Sequence, residues 1–328
     1  MIGSSKKERL GTEMRSESER HGLARITSQL GEPDIVSKLA VDLTPSDLTT
    51  LMLAVAERRA SRIETADVLR RYRSDRFSGP GTVPFPHLRE VEDLFIQAVP
   101  GGWAWVVPSP LVPFGTHATL GGVSQDWVVT ATRPNEVAAD PTVALALEAA
   151  VVRRDSSTRR AMEPQRLATI QRIVRGQLFA SPKAFTHFSI FALATAGRGL
   201  PGERFEHKAL AEHLAIYVGA LSGVSEVVEL VVSTGDDQSG RKLLEAIRDR
   251  WRADPKVSVS QDPRRFPGQR YYRKACFKVH AMIGGEKFEI ADGGFTDWMS
   301  RLLNDRRERL LISGAGLDRP ALALAATR

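Results

Sequence analysis

Two glycines and an arginine near the C-terminus have the types and spacing of a phosphate-binding element. Gly314 and Gly316 follow an apolar run, 310–313, that predicts a β-strand. Because glycine has no side chain, these positions leave a surface that a ligand can approach closely. The segment Asp318-Arg319-Pro320 then begins a predicted helix, with proline in its first turn. A helix N-terminus with an arginine beside it favours an anion, so the segment predicts contact with a phosphate.

A predicted β-hairpin precedes this element. Residues 276–281 alternate between polar and apolar types, which is the pattern of a half-buried strand. Gly284-Gly285 predicts a tight turn into a partner strand over 287–291. Gly293 and Gly294 then predict a break in that strand and a close approach of the backbone to another group.

Three segments, in this order, resemble the catalytic core of class II aminoacyl-tRNA synthetases, and within that class histidyl-tRNA synthetase. The run GQRYYRKACFKVHA is similar to that enzyme's RGLDYY…VFE segment. The run ADGGFTDW is similar to its GGGRYDGL segment, and GAGLDR is similar to class II motif 3. The resemblance implies an ATP-binding core whose acid-substrate pocket includes Arg270, Tyr271, Tyr272, Gly293, Gly294 and Asp297.

The stretch 167–195 resembles class II motif 2, in which two strands flank a mobile loop. Arg175 ends the first predicted strand, Gln177 follows it, and His187 and Phe191 lie on the return strand. The resemblance implies that Arg175 neutralises the α-phosphate of ATP and that His187 lies near the triphosphate. It also implies that Phe191 offers a face to adenine and that Gln177, in place of the usual acid, binds the adenine amine. The alternative is an ordinary β-hairpin with a surface arginine.

Asp140-Pro141-Thr142 begins a predicted helix over 143–152. Asp140 suits an N-cap, with proline at the first helical position. The same residues resemble the Arg-Pro-Glu-x-Thr element of histidyl-tRNA synthetase, whose acid and threonine hold the ammonium group of the amino acid. Both interpretations of Asp140 and Thr142 can hold together.

Four departures from the family's pattern bear on the activity. The catalytic arginine of the Arg-Gly-Leu-Asp-Tyr-Tyr segment aligns with Pro267, and its aspartate aligns with Arg270. Two polar positions that contact the ammonium group align with Leu193 and Gly197. The chain ends about one helix after Arg319, so we expect no anticodon-binding domain. We therefore expect no charging of tRNA with histidine, and the charge of Arg270 favours an anionic substrate or a phosphate.

The resemblance implies an α+β fold with a mostly antiparallel sheet flanked by helices, which would position these groups. We expect this class II synthetase-like core over residues 82–328, with 205–265 as an insertion between motifs 2 and 3. Residues 1–34 are polar and charged, so we expect a disordered or loosely ordered tail. Residues 35–81 are predicted to form a helical appendage, and 127–132 a strand. The helix and strand within Pro86–Pro110 resemble class II motif 1, which implies a homodimer.

Composition limits the class of protein. Of the 328 residues, 42% are hydrophobic, which supports a buried core, and no apolar run is long enough to span a membrane. The net charge of +7 can attract RNA, but no basic run with interleaved aromatic residues favours that partner. The single cysteine, Cys276, excludes an internal disulfide and a Cys-rich zinc site. His207 and His213 are spaced too widely for a helical metal pair, so we expect both on a solvated face. We expect a cytoplasmic protein.

Three functions remain open at this point. The first is ATP-dependent adenylation of a small carboxylic or amino acid, with acyl transfer to a non-tRNA acceptor such as an amine or a carrier protein. Arg175 and Arg319 would then clamp the phosphates, and Mg²⁺ would neutralise them. The second is a noncatalytic regulatory subunit that resembles that of ATP phosphoribosyltransferase and binds a partner enzyme. The third, less favoured, is an RNA-binding synthetase relative.

Overall fold

The computed structural model describes residues 17–155, 163–177, 186–262, 264 and 271–327. These residues divide into two compact units, one within the chain up to residue 67 together with 132–134, and one over 68–131 and 135–328. The predicted boundaries at residues 34 and 81 stay predictions.

Helices make up the described N-terminal part. Thr44 caps the helix α2 (Pro45–Ala60), because its hydroxyl accepts a hydrogen bond from the amide of Asp47, and Pro45 occupies the first helical position. No residue of this helix is buried. The elements in order are α1 (Glu17–Leu30), a short turn (Ile35–Ser37), a π-helical turn (Lys38–Asp42), α2 (Pro45–Ala60) and α3 (Thr65–Ser74).

The remaining described residues form a mixed array of strands and helices. The helices are α4 (Phe85–Ala98), α5 (Thr116–Gly121), α6 (Pro141–Arg154), α7 (Arg204–Leu221), α8 (Gln238–Trp251), α9 (Trp298–Leu302) and α10 (Asp318–Thr327). The strands are β1 (Ala104–Trp105), β2 (Leu111–Pro113), β3 (Asn135–Val137), β4 (Gln165–Val174), β5 (His187–Arg198), β6 (Val228–Thr234), β7 (Val257–Gln261), β8 (Tyr272–Ile283), β9 (Glu286–Thr296) and β10 (Glu308–Gly316).

Eight of the described strands form one sheet in the order β1-β4-β5-β10-β9-β8-β6-β7. Only the outermost pairs, β1 with β4 and β6 with β7, are parallel, and the five inner pairs are antiparallel. Strands β2 and β3 form a separate antiparallel pair. The predicted α+β class with a mostly antiparallel sheet is confirmed.

Glycines shape the central hairpin of the sheet. Gly284 and Gly285 have φ of +59° and +78°, which is the left-handed backbone that a two-residue hairpin turn between β8 and β9 requires. The predicted break at Gly293 and Gly294 is wrong, because β9 continues through both to Thr296. The close approach is real, but it is to neighbouring strands. A Cβ on Gly293 would lie 2.4 Å from Cβ of Ser313, and one on Gly294 would lie 2.6 Å from the Tyr272 ring.

Each face of the sheet has its own apolar core. The back face carries Phe191 and Leu311 and packs against helices α4, α7, α8 and α10. The front face carries Ile190 and Ile312 and packs against helices α5, α6 and α9. Within the described residues, β6 and β7 contribute nothing to the front core.

A buried ion pair fixes α6 on the front face. The Arg153 guanidinium donates two hydrogen bonds to the Glu308 carboxylate, at 2.6 and 3.0 Å, and both side chains are almost fully buried. This two-pronged contact joins the C-terminal end of α6 to the start of β10.

Two further expectations are wrong. Residues 127–132 do not form a strand, because Gln125–Trp127 is a 3₁₀ turn and only Thr130 makes an isolated bridge, to Glu136. His213 does not lie on a solvated face. It is fully buried beneath the back face, because α7 buries a much wider arc than one apolar stripe.

Candidate functional site

A cavity of about 220 Å³ opens on the front face of the sheet, where β5, β9 and β10 lie beside the N-terminus of α6. It collects residues from four separate parts of the chain that the sequence singled out. The sequence-predicted residues that line it are Asp140, Thr142, Arg175, Tyr271, Tyr272, Gly314, Gly316 and Arg319.

Arg175 follows β4 and lies on the wall of the cavity. Its Nε donates a hydrogen bond to the carbonyl oxygen of Ala139 at 3.0 Å. Its guanidinium carbon lies 5.1 Å from the centre of the Phe188 ring, within the range of a cation–π contact. The side chain is therefore held in place, while its remaining N–H groups make no hydrogen bond with the described residues and can donate to an anion.

A buried hydrogen-bond chain positions the peptide that Arg175 contacts. Glu136 Oε1 lies 2.6 Å from His117 Nδ1, and His117 Nε2 accepts a hydrogen bond from the amide of Ala139 at 3.0 Å. Since Nε2 is an acceptor, the ring is the neutral tautomer with its proton on Nδ1. Burial raises the pKa of Glu136, but hydrogen bonds from His117, Gly115 and Gln125 outweigh burial and hold that pKa below its ordinary value. Glu136 and His117 thus orient Arg175 through one backbone peptide.

The end of β10 and the start of α10 form the second wall. Asp318 is buried, and its carboxylate accepts the amide of Ser189 at 2.7 Å and an N–H of Arg172 at 3.4 Å. Burial raises the pKa of Asp318, and these two contacts oppose that effect. Arg319, one residue later, is exposed and makes no hydrogen bond or ion pair with the described residues. Asp318 therefore anchors the helix start, and Arg319 stays free beside the two glycines.

The end of the cavity where the sequence predicted the acid substrate is built from α6 and β8. Asp140 is the N-cap of α6, since its Oδ1 accepts both the amide and the hydroxyl of Thr142, at 2.9 and 2.8 Å. Burial and then the charges of Asp140 and Asp292 raise the pKa of Tyr271, and burial and then Asp292 raise that of Tyr272. Both phenols are consequently neutral near pH 7 and can donate hydrogen bonds.

Three of the predicted nucleotide contacts lie elsewhere. Phe191 is fully buried on the back face against Phe95 and Tyr217, so it has no ring face for adenine. His187 Nδ1 accepts a hydrogen bond from Arg172, and its Nε2 donates to the carbonyl of Gly79 at 2.7 Å, so neither nitrogen is free. Gln177 is outside the cavity lining, and its carbonyl accepts from Arg76.

Three of the predicted acid-pocket residues also lie outside the cavity lining. Neither Gly293 nor Gly294 lines the cavity, because the space that a side chain would take at each position is filled by adjacent strands. Asp297 occupies the N-cap position of α9 without a side-chain capping hydrogen bond, and its carboxylate pairs with Arg273 at 3.3 Å and Arg301 at 3.6 Å. Arg270, and with it Pro267, lies outside the described residues.

The cavity includes residues that the sequence did not single out. Phe188 supplies the aromatic surface that was predicted for Phe191, since it lies on the front face. Glu289 and Asp292 come from β9, and Asp318, which the sequence placed at a helix start without a role in ligand binding, comes from α10. The described lining thus carries four carboxylates and two arginines, so it is more acidic than Arg270 led us to expect.

Comparison with known proteins supports the fold. No protein-family model and no curated protein sequence matches the chain. Among solved structures, the chain is similar to an ATP phosphoribosyltransferase regulatory subunit/histidyl-tRNA synthetase from Bacillus halodurans, with 14% identity and a TM-score of 0.57 over 76% of this chain and 82% of that one. It is also similar to apo histidyl-tRNA synthetase from S. aureus, with 13% identity and a TM-score of 0.57 over 75% and 72%.

A third similar structure is a histidine–tRNA ligase subunit from Alicyclobacillus acidocaldarius, with 15% identity and a TM-score of 0.55 over 77% of this chain and 97% of that one. The chain therefore has the class II synthetase-like fold that the three sequence segments indicated. No helix among the described residues is long and apolar enough to cross a membrane.

Proposed function

We propose that this protein uses ATP to adenylate a small carboxylic or amino acid and passes the acyl group to an acceptor other than tRNA. The observation that carries the proposal is the meeting of Arg175 and Arg319 at one cavity, beside Gly314 and Gly316. Two cationic side chains and a helix N-terminus around a glycine surface suit a polyphosphate. Asp140 and the two tyrosines at the other end suit a second, smaller ligand.

The chemistry requires mainly positioning and electrostatics. A carboxylate oxygen of the acid attacks the α-phosphorus of ATP, a P–O bond forms, and pyrophosphate leaves with the electrons of the bond that breaks. Arg175 would stabilise the charge that develops on the α-phosphate, and Arg319 would hold the far end of the triphosphate. Mg²⁺ bound to a nucleotide needs only one or two protein carboxylates, which Glu289 and Asp292 could provide, and it would neutralise phosphate charge.

The acidic lining bears on the choice of substrate. The carboxylates of Asp140 and Asp292 line the same cavity as the phenol of Tyr271, and after burial their charges raise the pKa of that phenol. A group with a positive charge, such as the ammonium of an amino acid, would be favoured there by Coulomb attraction. We therefore favour an amino acid over a simple carboxylic acid.

A noncatalytic regulatory subunit is an equally supported alternative. The similar structure from Bacillus halodurans is itself described as an ATP phosphoribosyltransferase regulatory subunit/histidyl-tRNA synthetase. Pro267 at the position of the family's catalytic arginine also favours this function. Such a protein would bind a ligand in the same cavity and act through a partner enzyme. An RNA-binding role stays the less favoured alternative, because no basic run with interleaved aromatic residues supports it.

ATP–pyrophosphate exchange distinguishes adenylation from a noncatalytic regulatory role. We would measure it with each of the twenty amino acids and with a panel of simple carboxylic acids. Adenylation predicts exchange that depends on one acid and that Arg175→Ala abolishes. Glu163→Gln, a change at an exposed carboxylate, serves as the matched control and should leave exchange intact. Ligand binding without exchange for any acid would reject adenylation and favour the regulatory subunit.

We also propose a homodimer through Pro86–Pro110, as the motif 1 resemblance implies. Apolar side chains in and beside this segment face solvent in the single chain, with Trp105 43% exposed and Val107 99% exposed. Burying them against a second copy would be favourable. We expect sedimentation equilibrium to give a dimer and Val107→Asp to shift it toward monomer. A wild-type monomer at tens of micromolar would contradict the assignment. A cytoplasmic location stays a prediction.

A further inference from the structure

An arginine outside the cavity contacts both ends of the β4–β5 hairpin. Arg76 lies in the segment that follows α3, and its side chain is exposed. Its guanidinium donates to two successive carbonyl oxygens, from Nη2 to Gly176 and from Nη1 to Gln177 at 3.2 Å. Its own carbonyl oxygen accepts a hydrogen bond from the hydroxyl of Thr186 at 2.5 Å. Arg76 therefore joins the chain that leaves β4 to the chain that enters β5.

The residue next to Arg175 is held by both of its backbone polar groups. The amide of Arg175 donates to the carbonyl oxygen of Thr186 at 2.8 Å, one residue beyond the paired strands. The amide of Gly176 then donates to the carbonyl oxygen of Trp127 at 2.8 Å. Its carbonyl is the one that Arg76 contacts. The chain directly after Arg175 is thus fixed by Trp127 through one group and by Arg76 through the other.

A short turn holds Arg76 itself in position. The carboxylate of Asp75 accepts a hydrogen bond from the amide of Phe77 at 3.2 Å. The guanidinium carbon of Arg76 lies 4.1 Å from the centre of the Phe77 ring, within the range of a cation–π contact. Further along, the carbonyl oxygen of Gly79 lies 2.7 Å from Nε2 of His187, the first residue of β5. The segment is therefore anchored on both sides of Arg76.

We propose that Arg76 is a positioning residue for the contact between Arg175 and ATP. The proposal rests on the proposed function in one respect, which is that Arg175 binds a phosphate of ATP. A side chain that is already ordered loses less conformational freedom when it binds an anion, so fixing the chain at Gly176 raises the affinity. Arg76 is not part of the cavity lining, so it acts through Arg175 and does not touch the ligand.

The same region of the chain offers a matched control. Arg73 lies in the last turn of α3, three residues before Arg76, and it is also exposed. It makes no hydrogen bond or ion pair with any residue that the structure describes. Arg73→Ala and Arg76→Ala each remove one positive charge from this part of the molecule, but only Arg76→Ala removes the contacts to the two carbonyls. Arg76→Lys keeps the charge and can donate to one carbonyl, without the planar two-pronged contact.

Calorimetric titration with ATP and Mg²⁺ measures the effect. We expect Arg76→Ala to raise the Kd of ATP about fivefold, which is the order expected when one long side chain must become ordered on binding. Arg76→Lys should raise that Kd about twofold, and Arg73→Ala should leave it unchanged. Thermal melting should give the same midpoint for all three variants, because both arginines are exposed.

A double-mutant cycle separates positioning from a direct contribution to binding. If Arg76 acts through Arg175, Arg76→Ala should change the Kd of ATP by less than about twofold once Arg175 is replaced by alanine. Beside Arg319→Ala, on the other wall, it should keep its effect of about fivefold. Equal Kd values for wild type and Arg76→Ala, or the same loss with and without Arg175, would overturn the positioning role and leave ATP binding standing. No binding of ATP by the wild-type protein would overturn both proposals.

Discussion

The front and back of the same three strands, β5, β9 and β10, have opposite physical character. The front carries Gly314 and Gly316, charged side chains and a cavity. The back carries Phe191, Phe295 and Leu311 in an apolar core, in which Phe191 contacts the ring of Tyr217. Even the polar groups on the back, His213 and Ser313, are bonded to one another and not to solvent.

The comparison shows how much depends on which side of a strand a residue faces. Successive side chains on a strand point to opposite sides, so Phe188 and Phe191, three residues apart, lie on different faces of β5. One ring borders the cavity under Arg175, and the other packs in the back core. A shift of one residue in the assignment exchanges a ligand contact for a core residue.

The largest expected effect tests this assignment directly. Phe191→Ala should lower the free energy of unfolding by roughly 3–5 kcal/mol, because it removes a fully buried ring from the back core. Phe188→Ala should cost much less stability, since its ring is only partly buried, but should weaken ATP binding by about 1–3 kcal/mol, the usual worth of base stacking on an aromatic ring. Urea unfolding and calorimetry with ATP measure the two quantities. The reverse pattern would show that the two faces are assigned wrongly.

Sequence patterns predicted the fold class and much of the cavity, because both depend on local chemistry. Gly284 and Gly285 specify a tight turn whatever surrounds them. Gly314, Gly316 and Arg319 are close in sequence, and all three line the cavity in the folded protein. The misplaced residues depend on information that the local pattern lacks. Placing Phe191 correctly requires knowing which side of β5 is covered by helices. Glu289 lines the cavity because of a β-bulge in β9, and this bulge depends on how β9 pairs with β8.

The next largest effect concerns the front face alone. Arg319→Ala should weaken ATP binding by roughly 1.5–3 kcal/mol, the worth of a charge-assisted hydrogen bond, which corresponds to about a ten- to hundredfold loss. Stability should not change, because Arg319 is exposed and unpaired among the described residues. Arg319→Lys should recover only part of the affinity, since lysine lacks the planar two-pronged contact. Equal ATP affinity of wild type and Arg319→Ala in calorimetry would remove this arginine from the nucleotide site.

The smallest expected effect concerns the polar cluster on the back face. His213 Nδ1 lies 2.8 Å from the hydroxyl of Ser313 and Nε2 lies 2.9 Å from that of Thr195, while Tyr217 donates to Ser313 at 2.7 Å. Burial, with a contribution from the charge of Arg166, lowers the pKa of His213 to about 3. The ring is thus neutral in the folded protein at every pH at which the protein is ordinarily handled.

Acid should destabilise the fold through this ring. In the unfolded chain the pKa of a histidine is about 6.5, so between that pH and about 3 the unfolded state binds a proton that the folded state does not. The contribution of neutral His213 to stability is complete above pH 6.5 and falls by roughly 1 kcal/mol per pH unit below pH 6.

Urea unfolding at a series of pH values from 7 to 5 measures that slope in wild type. His213→Gln, whose amide can keep both hydrogen bonds without titrating, should reduce the slope by about that amount. His207→Gln, on the same helix but not fully buried, should leave it unchanged. An identical slope in wild type and His213→Gln would mean that the ring takes up a proton inside the fold, and the back face would then be less dry than the packing of its aromatic residues indicates.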